Sequence, residues 1–218
     1  MLIAFEGIDG CGKGTQIQLL RAAISNEGWE DRIVLNKQPG GTPLGDEMRK
    51  ILFETVTTHR IHTDAASALY LASHIQALHE VVLPALLAGK IVISDRWHPY
   101  SDSAFGPYRS KPSVHPAILS MERALGGPEP DLLFFLNGDP VKCLERATSR
   151  TTETHEEGKS WANANTLRSI QMAYFGMFSD LDGDQYHPVP IDGRTPDDIF
   201  EISIWPFVRR AVRRRFID

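Results

Sequence analysis

The stretch Gly7-Ile8-Asp9-Gly10-Cys11-Gly12-Lys13-Gly14-Thr15 decides the fold class of this chain. It follows an apolar run at residues 2–5 and leads directly into a helical pattern over residues 15–24. The spacing is that of GxxxxGK, a phosphate-binding loop that needs a strand before it and a helix after it. Glycines let backbone N–H groups converge on an anion, and the lysine reaches the outer phosphates. The sequence therefore predicts a nucleotide-binding P-loop.

The residue after Lys13 departs from the usual pattern. A Ser or Thr that binds magnesium is normal there, but this chain has Gly14, with Thr15 next. We therefore expect Mg²⁺ to be held through Thr15, through water molecules, or by carboxylates elsewhere in the chain.

Short runs of β-branched and aliphatic residues alternate with helical patterns along the chain. They cover residues 2–5, 32–35, 91–94, 132–136 and 189–191. Strands that alternate with helices indicate a parallel sheet covered on both faces. We predict an α/β fold, namely a three-layer P-loop NTPase fold with a five-stranded parallel sheet flanked by helices, in a single domain over residues 1–218.

Two segments between these strands have distinctive patterns. Residues 64–83 place apolar side chains at three-to-four spacing, which predicts one long, half-buried helix. Residues 148–165 are polar and rich in hydroxyl groups, with almost no aliphatic side chains. A segment with so little to bury is typical of a mobile lid.

The composition excludes several classes of protein. The chain has 23 Lys and Arg against 28 Asp and Glu, a net charge of −5, so it has no bulk attraction for nucleic acid or an anionic membrane. No apolar run approaches the roughly 18 residues that a membrane span needs, and the start lacks the pattern of a signal peptide. Two distant cysteines favour a reducing compartment. We expect a cytoplasmic protein that binds neither nucleic acid nor membranes.

Charged residues follow the predicted strands at the edge where ligands bind in parallel sheets. Asp95 and Arg96 follow the third strand, and Asp9 lies within the P-loop. A carboxylate there suits Mg²⁺, and the planar guanidinium suits a second phosphate group. The alternative is a structural ion pair at the end of the strand.

Three further arginines are candidates for contacting phosphate. Arg49 follows a second glycine-rich stretch, residues 37–49, which is either a substrate-binding turn or an ordinary loop before a helix. Arg146 and Arg150 lie four residues apart where the chain enters the polar segment. They supply positive charge to a transferred phosphoryl group, or they form a solvated basic face.

These stretches together resemble the thymidylate kinases, a family of P-loop nucleoside monophosphate kinases. The matching segments are spread over most of the chain and occur in the family's order. They are FEGIDGCGKGTQ at residues 5–16, QPGGTPLGDEMRKIL at residues 38–52, YLASHIQALHEVVLPALLAGKIVISDRW at residues 70–97, and ERATSR at residues 145–150.

The resemblance implies a site for ATP with Mg²⁺. Lys13 would contact the outer phosphates, and Asp95, Asp9 and Thr15 would serve the metal. The turn at residues 191–195 lies where P-loop kinases place the ATP base, so Arg194 either flanks the adenine or belongs to an ordinary turn between a strand and a helix. Cys11 stands where one branch of the family has a basic residue, so Arg150, and after it Arg146, would supply the catalytic charge from the lid. The residues of the phosphate cradle would be Gly7, Gly10, Cys11, Gly12, Lys13, Gly14 and Thr15.

The resemblance also implies a site for a deoxynucleoside monophosphate acceptor and, commonly, a homodimer. Arg49 and Arg96 would hold the acceptor's phosphate, Asp9 would contact the sugar hydroxyl or its magnesium, and Tyr70 would stack on the base. The rest of this pocket would come from Gln38, Pro39, His74, Ser101 and Phe105.

The departures from the family fall on the base-binding side. His74 replaces an arginine that hydrogen-bonds the thymine, Gln38 replaces a glutamate, and Trp97 replaces a tyrosine. A change from Arg to His loses a planar fork of donors and a permanent charge. The acceptor is therefore either thymidylate read through other groups or a related pyrimidine deoxynucleotide, including one with a modified base.

Other functions remain open on the sequence. Gly14-Thr15-Gln16 resembles the loop of adenylate kinases, which act on AMP. A protein that holds a nucleotide without transferring phosphate, or a decayed enzyme, would also keep a P-loop. Detection of a diphosphate product distinguishes a kinase from these.

Overall fold

The computed structural model describes residues 1–57, 61–98, 100–101, 104–105, 115–149, 163–178 and 183–216. Its strands are β1 (Leu2–Glu6), β2 (Ile33–Lys37), β3 (Ile91–Asp95), β4 (Leu132–Asn137) and β5 (Tyr186–Pro190). Its α-helices are α1 (Lys13–Asn26), α2 (Pro43–Thr57), α3 (Thr63–Ala77), α4 (Leu83–Leu87), α5 (His115–Ala124), α6 (Pro140–Ser149), α7 (Ala164–Phe178), α8 (Pro196–Ser203) and α9 (Trp205–Phe216).

The described strands form one five-stranded sheet in the order β2-β3-β1-β4-β5. Every neighbouring pair is parallel, which confirms the predicted α/β fold with helices against the sheet. β3 lies on one side of β1 and β4 on the other, so the order of the strands reverses at β1. The crevice at the carboxyl end of such a reversal is where ligands bind in this class of fold.

The fifth strand begins earlier than the sequence indicates. It covers Tyr186–Pro190, whereas the run of aliphatic residues predicts 189–191. Pro188 lies inside it and argues against a strand in the sequence, because proline lacks the N–H of a ladder bond. β5 is an edge strand, where such a residue is tolerated, and its register places Pro188 beside Phe135.

The prediction of one uninterrupted helix over residues 64–83 is wrong in its details. The α-helix α3 ends at Ala77, a wider π-helical turn covers Leu78–Val82, and α4 continues to Leu87. Pro84 is the physical reason, because its ring clashes with the carbonyl four residues earlier and it donates no hydrogen bond.

The sheet is buried on both faces, as its nearly continuous apolar strands require. All five residues of β1 are buried, and an aromatic group around Phe135 joins β4 to α7. A smaller cluster of Leu52, Ala66 and Tyr70 joins α2 to α3. Within the described ranges, the structure has no helix that is long and apolar enough to cross a membrane.

Candidate functional site

Close packing forces glycine at two positions of the P-loop. Gly7 has a φ of 136°, and a Cβ there would lie 2.5 Å from the carbonyl oxygen of Leu136. Gly10 has a φ of 78°, and its Cβ would lie 1.8 Å from the carbonyl oxygen of Cys143. These conformations are strained for any residue with a side chain. The loop is therefore shaped by bare backbone that packs directly on β4 and α6.

Gly12 and Gly14 have a different role, because a Cβ at either position would meet no atom within 4 Å. Gly12 has a φ of 95° and directly precedes α1, so the loop turns into the helix there. Open space beside this helix N-terminus fits an anion, which the backbone N–H groups and the helix dipole favour. Packing does not require a glycine at position 14. A Ser or Thr would fit there, so the effect of Gly14 is the loss of a hydroxyl group that could bind magnesium.

Lys13 folds back over the loop instead of extending into solvent. Its side chain is buried, and Nζ donates to the carbonyl oxygens of Gly7 at 3.2 Å and Ile8 at 3.2 Å. It also lies 3.7 Å from the Sγ of Cys11, which is buried as well. The ammonium is thereby held at the carboxyl end of β1.

Arg96 reaches the same carbonyl group from β3. Its Nη1 donates to the oxygen of Gly7 at 3.0 Å, so this single oxygen accepts hydrogen bonds from both Lys13 and Arg96. Arg96 Nη2 donates to Asp9 Oδ1 at 2.6 Å, and the guanidinium lies over the ring of Phe105 at 4.8 Å. The two cationic side chains predicted for ATP and for a second phosphate therefore converge.

The charge of Arg96 is secured by its surroundings. Burial alone would lower the pKa of Arg96, but the carboxylates of Asp9, Glu6 and Asp95, with Tyr174, raise it above its usual value. The residue also has a φ of 72°, which is uncommon for a residue with a Cβ. An unusual backbone conformation at a buried cation points to a functional constraint.

The residues predicted for Mg²⁺ provide suitable oxygen donors. Asp95 Oδ1 is buried without a hydrogen-bond partner among the described residues, and Asp9 pairs with Arg96 at the mouth of the loop. Thr15 is exposed on the first turn of α1. No cluster of three or more His, Cys, Asp or Glu side chains arranged to hold a metal ion by themselves occurs in the part of the chain described. One or two carboxylates with substrate phosphates are the usual mode for Mg²⁺, and this donor set fits that mode.

The second glycine-rich loop is fixed by its own contacts. Arg49 Nη1 donates to the carbonyl oxygen of Pro39 at 2.9 Å, and its guanidinium lies over Phe53 at 4.7 Å. Lys37 pairs with Asp46 at 3.0 Å. The structure thus places Arg49 beside the loop that follows β2, next to the strand that carries Arg96.

The residues predicted for the acceptor base are largely buried. Gln38 Oε1 accepts from the backbone N–H of His98 at 2.6 Å, and Gly40 N–H donates to Ser73 on α3 at 2.9 Å. His74 stacks on His98, with ring centroids 5.1 Å apart, and meets Trp97 edge-on at 5.1 Å. Two aromatic rings therefore pack on His74, the residue for which the resemblance implies an arginine in the family.

Tyr70 and Ser101, both predicted for the acceptor pocket, make contacts within the protein that the sequence did not indicate. Tyr70 is buried against Leu52 and Ala66. Ser101 Oγ donates to the carboxylate of Glu6 at 2.8 Å.

Residues near the predicted lid are only partly described. Arg146 lies on α6, and its Nη2 donates to the Sγ of Cys143 at 3.1 Å. Arg150 and most of the predicted lid lie outside the described residues, while the ends of that segment belong to α6 and α7. Arg194 is exposed, and its Nη1 donates to Ser203 on α8 at 3.2 Å.

The sequence reasoning missed two residues of the site, Glu6 and Tyr174. Glu6 is completely buried, and Tyr174 OH donates to its Oε2 at 2.7 Å. Burial raises the pKa of Glu6 from its usual value, although Arg96 opposes this. A charged residue at the end of an otherwise apolar strand was the signal that could have found Glu6. Tyr174 has no comparable signal, because its spacing on α7 is that of a core residue.

Comparisons with known proteins identify the family of this chain. The family model described as "Thymidylate kinase" matches residues 5–183. A thymidylate kinase of Maridesulfovibrio salexigens is 35% identical over 206 residues, which cover 92% of each chain. One of Halothermothrix orenii is 31% identical over 180 residues, which cover 83% of this chain and 84% of the relative.

A solved structure supports the fold independently. The crystal structure of thymidylate kinase from Ehrlichia chaffeensis aligns with a TM-score of 0.66 at 23% identity. The alignment covers 98% of this chain and 97% of the other. Taken with the family match and the two relatives, these results establish that the chain belongs to the thymidylate kinase family.

Proposed function

We propose that this protein, acting as a single kinase domain over residues 1–218, transfers the γ-phosphoryl group of ATP to the phosphate of thymidylate. The products are ADP and the nucleoside diphosphate. The observation that carries this proposal is the convergence of Lys13 and Arg96 on the carbonyl oxygen of Gly7. A lysine that serves the outer phosphates of ATP and an arginine suited to a second phosphate are thereby held side by side.

The residues of this chain mainly position the substrates, because phosphoryl transfer depends on alignment and on compensation of charge. The backbone of the P-loop binds the ATP phosphates, with Lys13 on the outer ones. Arg96 and Arg49 orient the acceptor phosphate in line with them. Mg²⁺, held by Asp95 and Asp9 with help from Thr15, would neutralise the charge on the phosphates when bound.

Other predicted residues complete the two sites. Arg146 and Arg150 supply positive charge from the side of the lid. Arg194 flanks the adenine. The acceptor base lies against Tyr70, Gln38, Pro39, His74, Ser101 and Phe105.

The base side supports a second candidate acceptor. His74, with His98 and Trp97 against it, occupies the position of the family's base-reading arginine. Imidazole and indole N–H groups offer fewer and differently directed donors than a guanidinium. A related pyrimidine deoxynucleotide, including one with a modified base, is therefore the alternative substrate. The names of the relatives favour thymidylate and give no support to AMP.

A panel of acceptors tests the function directly. Thymidylate, deoxyuridylate, 5-hydroxymethyl-deoxyuridylate, deoxycytidylate and AMP are each incubated with ATP and Mg²⁺. ADP is measured by a coupled assay and the nucleoside diphosphate by chromatography. We expect the largest kcat/KM with thymidylate. A larger value with the modified pyrimidine establishes the alternative acceptor, a preference for AMP contradicts the proposal, and the absence of any diphosphate product contradicts a kinase.

We also propose that the protein is a cytoplasmic homodimer. Leu44 and Ile51 are seven residues apart and lie on the same side of α2. Each is about half exposed, at 51% and 48%. Exposed apolar side chains that share a helix face favour association. Light scattering on the purified protein measures the mass, and a monomer at micromolar concentration contradicts the dimer.

A further inference from the structure

The carboxyl group of Glu6 is buried at the point where β1 enters the P-loop. Its exposure is zero, and it accepts hydrogen bonds at both oxygens. A buried ionised group is costly unless it is paired and fully hydrogen-bonded. An apolar residue of similar size would fit a strand that is otherwise apolar. The presence of glutamate there requires an explanation.

The donors to Glu6 come from separate parts of the chain. The backbone N–H of Trp97 donates to Oε1 at 2.7 Å, and Ser101 Oγ lies 2.8 Å from Oε1 and 3.0 Å from Oε2. Tyr174, on α7, donates to Oε2 at 2.7 Å. One carboxylate therefore ties together β1, the segment that follows β3, and α7.

Arg96 is the residue that these contacts surround. Its φ of 72° is disfavoured for a residue with a Cβ, so neighbouring contacts must hold it. Arg96 N–H donates to the carbonyl oxygen of Phe5, the residue before Glu6, and the next N–H along, that of Trp97, donates to Glu6 itself. Glu6 thereby fixes the backbone immediately after Arg96.

Glu6 also contacts the side chain of Arg96. Its Oε2 lies 3.7 Å from Arg96 Nη1, and the same Nη1 lies 3.4 Å from Tyr174 OH. The other side of the guanidinium meets Asp9, at 2.6 Å from Nη2. Glu6 and Tyr174 thus hold the Nη1 side of the guanidinium. The Nη2 side contacts Asp9, which is partly exposed.

We propose that Glu6 is a positioning residue for the acceptor phosphate. It acts through Arg96, and Tyr174 holds it in place. This inference rests on the proposed function, in which Arg96 binds that phosphate. Glu6 does not contact either nucleotide and takes no part in the transfer of the proton or the phosphoryl group.

The test is the variant Glu6→Gln, with the KM of each substrate measured separately. The amide oxygen of glutamine still accepts from Trp97 and Ser101, but its NH₂ group cannot accept from Tyr174 or attract the guanidinium. We expect the KM for thymidylate to rise about tenfold, while the KM for ATP changes less than about twofold. Tyr174→Phe keeps the ring and removes the hydroxyl, and we expect a rise of about threefold in the thymidylate KM.

A matched control separates positioning from loss of stability. His187 is also buried, but it stacks on Phe134 and packs against Phe207 at the β5 side of the sheet. His187→Leu is expected to change the melting temperature without changing either KM. Equal rises in both KM values for Glu6→Gln, or a rise in thymidylate KM for His187→Leu of the same size, would overturn the proposal. If Glu6→Gln fails to fold, Tyr174→Phe decides the question by the same criterion.

A measurement without nucleotide keeps the two proposals distinguishable. The ¹⁵N–¹H signals of the Arg96 guanidinium, assigned with Arg96→Lys, report how tightly this group is held. We expect slow rotation in the wild type and faster rotation in Glu6→Gln and Tyr174→Phe. Unchanged rotation in both variants overturns the role of Glu6 even where the wild type phosphorylates thymidylate. If the wild type transfers no phosphoryl group to thymidylate, the proposed function is contradicted. The rotation of the Arg96 guanidinium still decides whether Glu6 positions Arg96.

Discussion

Two regions flank β1, and they are built from opposite kinds of side chain. Towards β3, the polar side chains of Glu6, Asp9 and Arg96 meet within hydrogen-bond or ion-pair distance. Towards β4 and β5, aromatic rings stack, with Phe134 between Phe5 and His187. Burial of rings stabilises a fold, whereas buried ion pairs are often no better for stability than apolar residues of the same size. Core packing therefore accounts for the aromatic region, and the proposed binding of phosphate groups accounts for the charged one.

Loss of the P-loop cation is the change with the largest expected effect. In Lys13→Ala, the outer phosphates of ATP lose their buried ammonium, and we expect kcat to fall about 1,000-fold. The melting temperature should stay within about 3 °C, because few apolar contacts are removed. Steady-state kinetics and calorimetry on the same sample check both numbers. Activity near that of the wild type would remove Lys13 from the site.

Arg96→Lys tests the same region while keeping its charge. Lysine lacks the planar fork that meets Gly7 and Asp9 together, so we expect kcat/KM for thymidylate to fall about 100-fold. Arg214→Lys, on the exposed face of α9, is the matched control and should leave kinetics unchanged. Equal kinetics for Arg96→Lys and the wild type would show that the geometry of the guanidinium is irrelevant.

Phe134→Leu should produce the opposite pattern. The ring is completely buried between Phe5 and His187, and its replacement leaves unfilled space in the core. We expect the free energy of unfolding to fall by about 1.5 kcal/mol, with kcat and both KM values within about twofold of the wild type. Urea unfolding gives the first quantity. A selective loss of activity without loss of stability would contradict the division between the two regions.

The smallest effect concerns the pH dependence of stability in the aromatic region. Burial and the nearby charge of Arg210 lower the pKa of His187 from 6.5, despite an opposing hydrogen bond with the backbone of Asp184. Below pH 6.5, His187 binds a proton more readily in the unfolded chain than in the folded protein. The free energy of unfolding therefore falls as the pH is lowered. Between about pH 7 and about pH 5, wild type should lose more stability than His187→Leu. If the free energy of unfolding depends on pH equally in the wild type and in His187→Leu, His187 does not contribute to the pH dependence of stability.

The sequence predicted the parts of the molecule that have local patterns. The P-loop and the strand ends at Asp95 and Arg96 follow from spacing and from the rule that ligands bind at carboxyl ends of strands. Interactions between distant segments were not predictable. Tyr174 lies 168 positions from Glu6, and nothing in either neighbourhood indicates that they share a hydrogen bond. The left-handed backbone of Arg96 was also missed, because it depends on the contacts around it and not on the residue type.

The carbonyl oxygen of Gly7 links the two proposed phosphate-binding side chains, Lys13 and Arg96. Because it accepts from Lys13 and from Arg96, any rotation of that one peptide plane displaces both cations at once. Under the proposed function, a change that tilts this plane is therefore expected to affect the binding of both nucleotides together. Independent adjustment of the proposed acceptor site would have to come from elsewhere, and the ring cluster around His74 is the candidate region for it.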